Sequence, residues 1–410
     1  MRAVGLVVEY NPFHYGHAYH VAQSKQVTGE DVVIAVMSGP FLQRGEPAIV
    51  NKWDRTKQAL HQGVDIVMEL PYAFATQKAE IFAGGAVDIL SAMGVNSLCF
   101  GSEEGSIEPF LKAVSQRQEH QQAFDQLVQQ GMKHGWSYPH AASVAQKELL
   151  AEEEEYLLEK PNNILGYHYV ERALHHHPHI HLHTIKRQVA GYHEETFKSE
   201  KIASATAIRR ASQTEGLQAI EAYVPATTYD SLSHRLEKDG FFCNWEVFWP
   251  ALRYQLLAQT TEKLRGIYEV EEGVEVRLQE AAKEANTFAQ FMKTVKTKRY
   301  TWTRLQRMCT HILTQTSKGE MREVTEPRAL RLLGMTETGQ RYIQNKKKEL
   351  PLPLLANVRR DDEPLVQLDI RAQRVYESAL LFHPQALRKP DYQDEFKRVP
   401  IRLTGEPGTK

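Results

Sequence analysis

Val4-Gly5-Leu6-Val7-Val8-Glu9-Tyr10-Asn11-Pro12-Phe13-His14-Tyr15-Gly16-His17 opens the chain and decides how the rest is read. The apolar run from Val4 to Val8 has no polar alternation, as expected of a strand buried on both faces of a parallel sheet. Pro12 ends it, because proline lacks an N–H and biases Asn11 away from helical backbone. From His14 onward, the spacing of His17, Tyr19-His20-Val21-Ala22 and Lys25 becomes helical. Three more apolar runs follow. Asp31 to Met37 ends in Ser38-Gly39-Pro40, Val64 to Met68 ends at Glu69-Leu70-Pro71, and Ser97 to Phe100 ends in Gly101-Ser102-Glu103. Helix-compatible stretches separate them, Trp53 to Gln62 (with Gly63 as a stop) and Ala79 to Met93. Strands alternating with helices at this spacing predict an α/β fold with a doubly wound parallel sheet. Ligands in that architecture bind at the carboxyl ends of the strands, where the strand order reverses.

The loop after the first strand carries the sharpest chemical signal. Adenylyl transfer from ATP needs donors for the charge that develops on phosphate oxygens and on leaving pyrophosphate. Two imidazoles, His14 and His17, beside a helix N-terminus supply them, and Gly16 lets a nucleotide approach the backbone closely. Two part-buried histidines near a turn are the competing reading. Further on, Ser204 before a short helix can cap it and offer a hydroxyl, while Arg209 offers a guanidinium fork. Asn162 and Asn163 are either helix caps or readers of an adenine edge or ribose. Lys186 and Arg187 place two cations after a strand in which His179, His181 and His183 alternate with Ile180 and Leu182. That alternation favours histidines facing water over a metal site.

His14-Tyr15-Gly16-His17 resembles the signature of the HIGH-motif nucleotidyltransferase superfamily, which binds ATP phosphates on this turn. The resemblance implies a HUP or Rossmann-like catalytic domain. The superfamily's second signature, Ile-Ser-Ser-Thr-x-Ile-Arg, is matched in part by Ile202-Ala203-Ser204-Ala205-Thr206-Ala207-Ile208-Arg209. Aligned on its Ile-Arg end it keeps Ser204, Thr206, Ile208 and Arg209. Ala205 replaces the second Ser, and Ile202 sits one position early. No Lys-Met-Ser-Lys-Ser run is present, which counts against an aminoacyl-tRNA synthetase.

Within the superfamily the chain is similar to the bacterial tRNA(Met) cytidine acetate ligases. The likeness runs from Val4 to His14, through Met37-Ser38-Gly39-Pro40-Phe41-Leu42-Gln43-Arg44-Gly45-Glu46-Pro47 and Gly101-Ser102-Glu103, to Pro161-Asn162-Asn163-Ile164-Leu165-Gly166 and Ile185-Lys186-Arg187. It implies that ATP and acetate give acetyladenylate and pyrophosphate. The exocyclic amine of the wobble cytidine of elongator tRNA(Met) then takes the acetyl group, leaving N4-acetylcytidine and AMP. His14 and His17 would be the catalytic pair. The ATP site would be lined by Val7, Val8, Glu9, Tyr10, Asn11, Pro12, Phe13, His14, Tyr15, Gly16, His17, Ala18, Tyr19 and His20. Gly101, Asn162 and Arg187 would complete it, with Lys186, Ser204 and Arg209 beside them. Gln43 or Arg44, in the loop Ser38 to Glu46, would reach the acetate carboxylate; a structural turn is the other reading of that loop. Magnesium is expected with a polyphosphate, although no ligand set is identifiable.

The 410 residues are too many for one ordinary domain. A division into residues 1–222, catalytic, and 223–410, mainly helical, follows from the loss of β/α alternation after about Ala222. Trp245 to Thr261 and Val274 to Val295 read as amphipathic helices. Hydrophobic residues at 42% and charged residues at 25% exclude disordered and fibrous classes. The three cysteines, Cys99, Cys243 and Cys309, lie too far apart in sequence to suggest a zinc cluster or a disulfide framework. No long apolar run or secretory leader is evident, so a cytoplasmic protein with no membrane association is expected. The net charge of −1 argues against a general nucleic-acid coat protein. Between Phe291 and Lys348, however, 14 basic residues face four acidic ones, with Tyr300, Trp302 and Tyr342 interleaved. Such a stretch suits RNA phosphates and unpaired bases, and Lys298, Arg299, Arg304, Lys346, Lys347 and Lys348 are the candidate tRNA contacts. A solvated helical face with core aromatics is the alternative. Two other functions remain open from the residues: adenylyl transfer to a phosphorylated metabolite, and a non-catalytic RNA-binding adaptor.

Overall fold

The apolar runs become strands because both of their faces are covered. β1 (Ala3–Val8), β2 (Val32–Ser38), β3 (Ile66–Leu70), β4 (Ser97–Ser102) and β5 (His181–Lys186) form one sheet. The computed structural model describes residues 1–136, 138–149, 157, 159–187, 203–392 and 394–404. Ala3, Val32, Ile34, Val36, Ile66, Met68, Leu98 and Phe100 pack to one face, against the helices Ala79–Ala92 and Pro161–His176. Val4, Leu6, Val8, Val33, Ala35, Met37, Val67 and Cys99 pack to the other, against Tyr15–Thr28 and Lys52–His61. Alternate residues point to opposite faces of a strand, so burial of both faces leaves few polar positions in these runs.

These five strands lie in the order β5-β4-β1-β2-β3, all parallel. The chain winds from β1 outward to β3, then returns across β1 to lay down β4 and β5. The reversal falls between β1 and β4, where a crevice opens at the carboxyl ends. This is the doubly wound class expected from the sequence.

The chain beyond residue 222 is mainly helical, but it also contributes three strands that the sequence reading did not anticipate. β6 (Leu330–Thr336) runs antiparallel to β3, and β7 (Leu354–Leu355) and β8 (Ile401–Leu403) run parallel to β6. The sheet therefore draws strands from both sides of residue 222. The Pro-rich segment Leu350 to Leu354 leads into β7. The helical region has its own core, which includes Trp245, Phe248, Trp249, Leu252, Phe291 and Met308. Phe41 and Tyr72, from the segments after β2 and β3, belong to that same core and join the two regions. No helix among the described residues is long and apolar enough to cross a membrane. The acidic run Glu152 to Glu155, Gln188, Ile202 and the tail Gly405 to Lys410 lie outside the described residues.

Candidate active site

At the β1/β4 reversal is a cavity of ≈ 280 Å³ whose floor is the segment Val7 to His20. Its geometry begins with Tyr10, which holds a left-handed φ of 49°. A bulky residue adopts that conformation only where its surroundings impose it. Tyr10 is fully buried among Phe13 and His17, with ring centroids 4.6 and 4.9 Å away. The turn brings His14 to the N-cap of the helix Tyr15–Thr28. His14 Nδ1 accepts from the Gly16 amide at 3.0 Å, and His17 Nδ1 accepts from the His14 amide at 3.3 Å. This reciprocal cap is usually built by Ser or Thr with Glu or Gln. Here two imidazoles do it, stacked with centroids 3.8 Å apart.

The cap dictates the protonation of both rings. A neutral imidazole has one donor and one acceptor nitrogen, so Nδ1 acceptors place the protons on Nε2. Burial, with the Arg187 and Arg209 charges behind it, lowers the His14 pKa to about 3. Burial, then His14 and Arg187, holds His17 well below its usual 6.5, and burial with Arg187 brings His20 to about 4. At neutral pH these rings are uncharged and His14 and His17 are Nε2–H donors. They stabilise charge on phosphate oxygens without first having to take up a proton.

A second helix N-terminus meets the same cavity. Ser204 caps the helix Ala205–Thr214 by accepting from the Ala207 amide at 3.1 Å, and Ser204, Ala205, Thr206 and Arg209 all line the space. Arg209 donates to the Asn11 carbonyl at 3.0 Å and to Glu46 at 2.9 Å, which ties this helix to both floor and wall. Beyond β4, an added Cβ on Gly101 would lie 3.2 Å from Arg187 Cγ, so the glycine lets the arginine lie across the strand end. Arg187 Nη1 donates to Asn162 Oδ1 at 3.3 Å, and Asn162 Nδ2 donates to Glu103 at 2.6 Å. Asn163 brackets the same loop, its Oδ1 accepting from the Glu103 amide at 2.9 Å. The asparagine pair thus positions the Gly101–Glu103 loop and Arg187.

The remaining wall is the loop after β2. The Gln43 amide donates to Glu9 Oε1 at 2.7 Å, and Gln43 Nε2 donates to the Gln77 carbonyl at 2.7 Å. Gln43 lines the cavity with its side-chain amide already engaged, and Arg44 lines it beside Gln43. Arg55, fully buried, clamps the base of this wall, donating to the Glu9 carbonyl at 2.7 Å and the Ser38 carbonyl at 3.0 Å. Arg55 was missed in the sequence because it sits in a charged, apparently solvated helix. Phe82, Phe100, Leu165 and Tyr169 were also missed; they line the cavity from three separate segments, while Leu42 and Glu46 belong to the loop Ser38 to Glu46 already singled out.

Of the expected ATP-site residues, Val7, Val8, Glu9, Tyr10, Asn11, His14, Gly16, His17, Tyr19, His20, Gly101, Asn162, Arg187, Ser204 and Arg209 line the cavity. Pro12, Phe13, Tyr15, Ala18 and Lys186 do not; Phe13 is core and Tyr15 is exposed on the helix. The basic stretch does not form one face. Arg307 pairs with Glu269, Arg304 with Glu271, Arg299 with Glu272 and Lys318 with Glu271. Tyr300 and Tyr342 are buried, leaving Trp302 as the exposed aromatic. Lys346 to Lys348 lie at the end of the helix Glu337–Lys346, whose Tyr342 hydroxyl donates to the Met93 and Gly94 carbonyls. Those carbonyls precede β4, so this lysine group lies at the amino ends of the strands. With a rise of about 3.3 Å per residue, a six-residue strand puts it roughly 20 Å from the cavity end. Among the described residues, no group of three or more His, Cys, Asp or Glu could hold a metal ion.

A parallel sheet whose reversal carries a paired-histidine turn and two capped helix N-termini defines an ATP-handling nucleotidyltransferase fold. The family model described as HIGH Nucleotidyl Transferase matches residues 1–391, and the chain belongs to that family. It is 46% identical over 417 residues, covering 100% of this chain and 99% of the other, to the tRNA(Met) cytidine acetate ligase of Halalkalibacterium halodurans. It is 44% identical over 407 residues, covering 98% and 97%, to the tRNA(Met) cytidine acetate ligase of Bacillus subtilis. Among solved structures it is similar to Thermotoga maritima TmcAL, both apo and bound with alpha-thio ATP. In each case the TM-score is 0.90, with 31% identity over 99% of this chain and 100% of that one.

Proposed function

We propose that this chain is an ATP-dependent tRNA(Met) cytidine acetate ligase. The observation that carries the reading is the cavity itself, which brings the Nε2–H donors, two helix N-termini and the cations Arg44, Arg187 and Arg209 around one space. Such a set of donors and cations suits a triphosphate and a small carboxylate together. Full-length similarity to relatives of that name supports the same conclusion.

Acetate is a poor acyl donor until one of its oxygens becomes part of a leaving group. Attack of its carboxylate on the α-phosphate gives acetyladenylate and releases pyrophosphate. His14 and His17 donate to the charge that accumulates on the phosphates, and Arg187 and Arg209 add fixed positive charge. No protein nucleophile is required, since acetyladenylate is itself the activated species. The exocyclic amine of the wobble cytidine of elongator tRNA(Met) then displaces AMP. A magnesium ion would enter on the triphosphate's own oxygens, because the described residues build no cage for it. Of the two basic groups, Lys298, Arg299 and Arg304 are the better placed for tRNA. The helix Trp302–Thr314 abuts Gly45, next to Arg44, whereas Lys346 to Lys348 sit at the far end of the sheet.

The test is acetate-dependent exchange of labelled pyrophosphate into ATP, followed by acetyl transfer to tRNA(Met). Exchange driven by a phosphorylated metabolite and not by acetate would overturn the proposal. His17→Ala is expected to lower exchange by about 100-fold or more, the usual effect of losing an oxyanion donor.

A further inference from the structure

The ligase reading, on which this inference rests, leaves one proton unassigned. Transfer forms a bond between the cytidine nitrogen and the acetyl carbon and breaks the bond from that carbon to the bridging phosphate oxygen. AMP leaves with the electron pair of the broken bond. The attacking amine has its lone pair conjugated into the ring, so it is a weak nucleophile until an N–H proton is removed as the new bond forms. We propose that the Glu9 carboxylate, which lines the cavity at the carboxyl end of β1 beside Arg44, is the general base that takes this proton.

Six other groups lining the cavity are poorer candidates. His14 and His17 have their Nδ1 lone pairs engaged by backbone amides, and their Nε2 atoms carry protons. Glu46 is ion-paired to Arg209 at 2.9 Å. Burial puts the Tyr10 and Tyr169 phenols far above the range in which they ionise. His20 is held neutral by burial and Arg187 with a pKa near 4, which makes it a weak acceptor. Glu9 is held in place from both sides: Oε1 accepts from the Gln43 amide, and its carbonyl accepts from buried Arg55. The charged and titratable groups facing it are Arg44 and Glu46 from the loop after β2, Arg55 from the helix Lys52–His61, and Tyr169 from the helix Pro161–His176. Burial and Glu46 raise its pKa; the Gln43 amide, Arg44 and Arg55 oppose this without cancelling it. The result is a carboxylate more basic than a free one, beside the place where the carboxylate of acetate would meet Arg44.

The experiment compares the two half-reactions in wild type, Glu9→Gln and Glu9→Asp. Acetate-dependent pyrophosphate exchange reports activation, and acetyl transfer from supplied acetyladenylate to tRNA(Met) reports the second step. Glu9→Gln, which keeps an acceptor for the Gln43 amide, is expected to lower transfer at least about 100-fold more than exchange. It should also abolish the acid limb of the transfer pH profile. Equal losses in both half-reactions, unaffected transfer, or a persistent acid limb would each overturn the assignment. If Glu9→Gln no longer binds ATP, Glu9→Asp decides: a loss confined to transfer supports the role and an equal loss refutes it. Wild-type enzyme without acetate-dependent exchange would instead sink the ligase reading, before Glu9 is reached.

Discussion

Lys52 is the residue whose replacement tests the packing argument most severely. It is fully buried, and its Nζ lies 2.8 Å from both oxygens of Glu69 and 2.9 Å from Glu395. The two carboxylates are themselves 2% and 4% exposed, and Asp369 is close enough to feel both. Burial alone would lower the lysine pKa, but Glu395 and Glu69 outweigh it and hold the ammonium charged above its usual range. Its charge therefore persists throughout the working pH range. Lys52→Met removes the one ammonium shared by two buried carboxylates and leaves them facing each other.

Breaking a buried pair by removing one partner costs about 3–5 kcal/mol, chiefly as the penalty for an uncompensated charge. With an unfolding entropy of about 2.1 cal/mol/K per residue, about 4 kcal/mol spread over this chain lowers the thermal midpoint by roughly 5 °C. The loss should shrink toward pH 5, because a buried carboxyl group without a counter-charge favours its neutral form. Circular dichroism melts at pH 5 and pH 8 would measure this. A triple variant, Lys52→Met with Glu69→Gln and Glu395→Gln, should recover part of the deficit, since neither carboxylate charge is then left buried, although Arg331, 3.9 Å from Glu395, loses that partner. A Lys52→Met midpoint within 1 °C of wild type, or a triple variant no more stable than the single, would refute the reasoning.

Two further perturbations follow from the same packing. Gly45 has φ of +78°, and an added Cβ would lie 2.4 Å from the Arg307 amide nitrogen, so Gly45→Ala should cost about 2–4 kcal/mol in strain and overlap. Arg44 and Glu46 flank it, so the KM for acetate in the exchange assay should rise as well; an unchanged melt and KM would show that the loop yields freely. Asp369 is pushed up to about 7 by burial and by Glu69, so its contribution is fully present below about pH 4 and lost as pH rises toward 7. Asp369→Asn keeps an acceptor for the Tyr72 amide and should remove that decline when urea stability is compared with wild type between pH 4 and 7; an identical pH slope would contradict it. The buried histidines give wild type and variant the opposite trend, stability lost as pH falls below 6.5, and it cancels in the difference.

The parts of this molecule legible in its sequence are those in which cause and consequence are close together along the chain. Strand, turn, cap and phosphate donors all fall between Ala3 and His20, so local rules recover them together. Residues that act through distant partners stayed hidden. Lys52 and Glu395 are 343 positions apart, and each reads alone as a solvated charge. Arg331 interrupts an apolar run and so concealed β6, although its guanidinium donates to the Ala356 carbonyl beneath Leu355. The ten net positive charges between Phe291 and Lys348 were counted without Glu269, Glu271 and Glu272, which lie outside that window and take up four of its cations. The paired histidines show why the local signal was so strong. The hydrogen bonds that start the helix at His14 are the same ones that fix the protons of His14 and His17 on Nε2. Folding of this turn and orientation of its donors are therefore one event. A substitution that removes either ring takes away half of a helix cap as well as a phosphate donor, so its effect on activity has to be read beside its effect on stability.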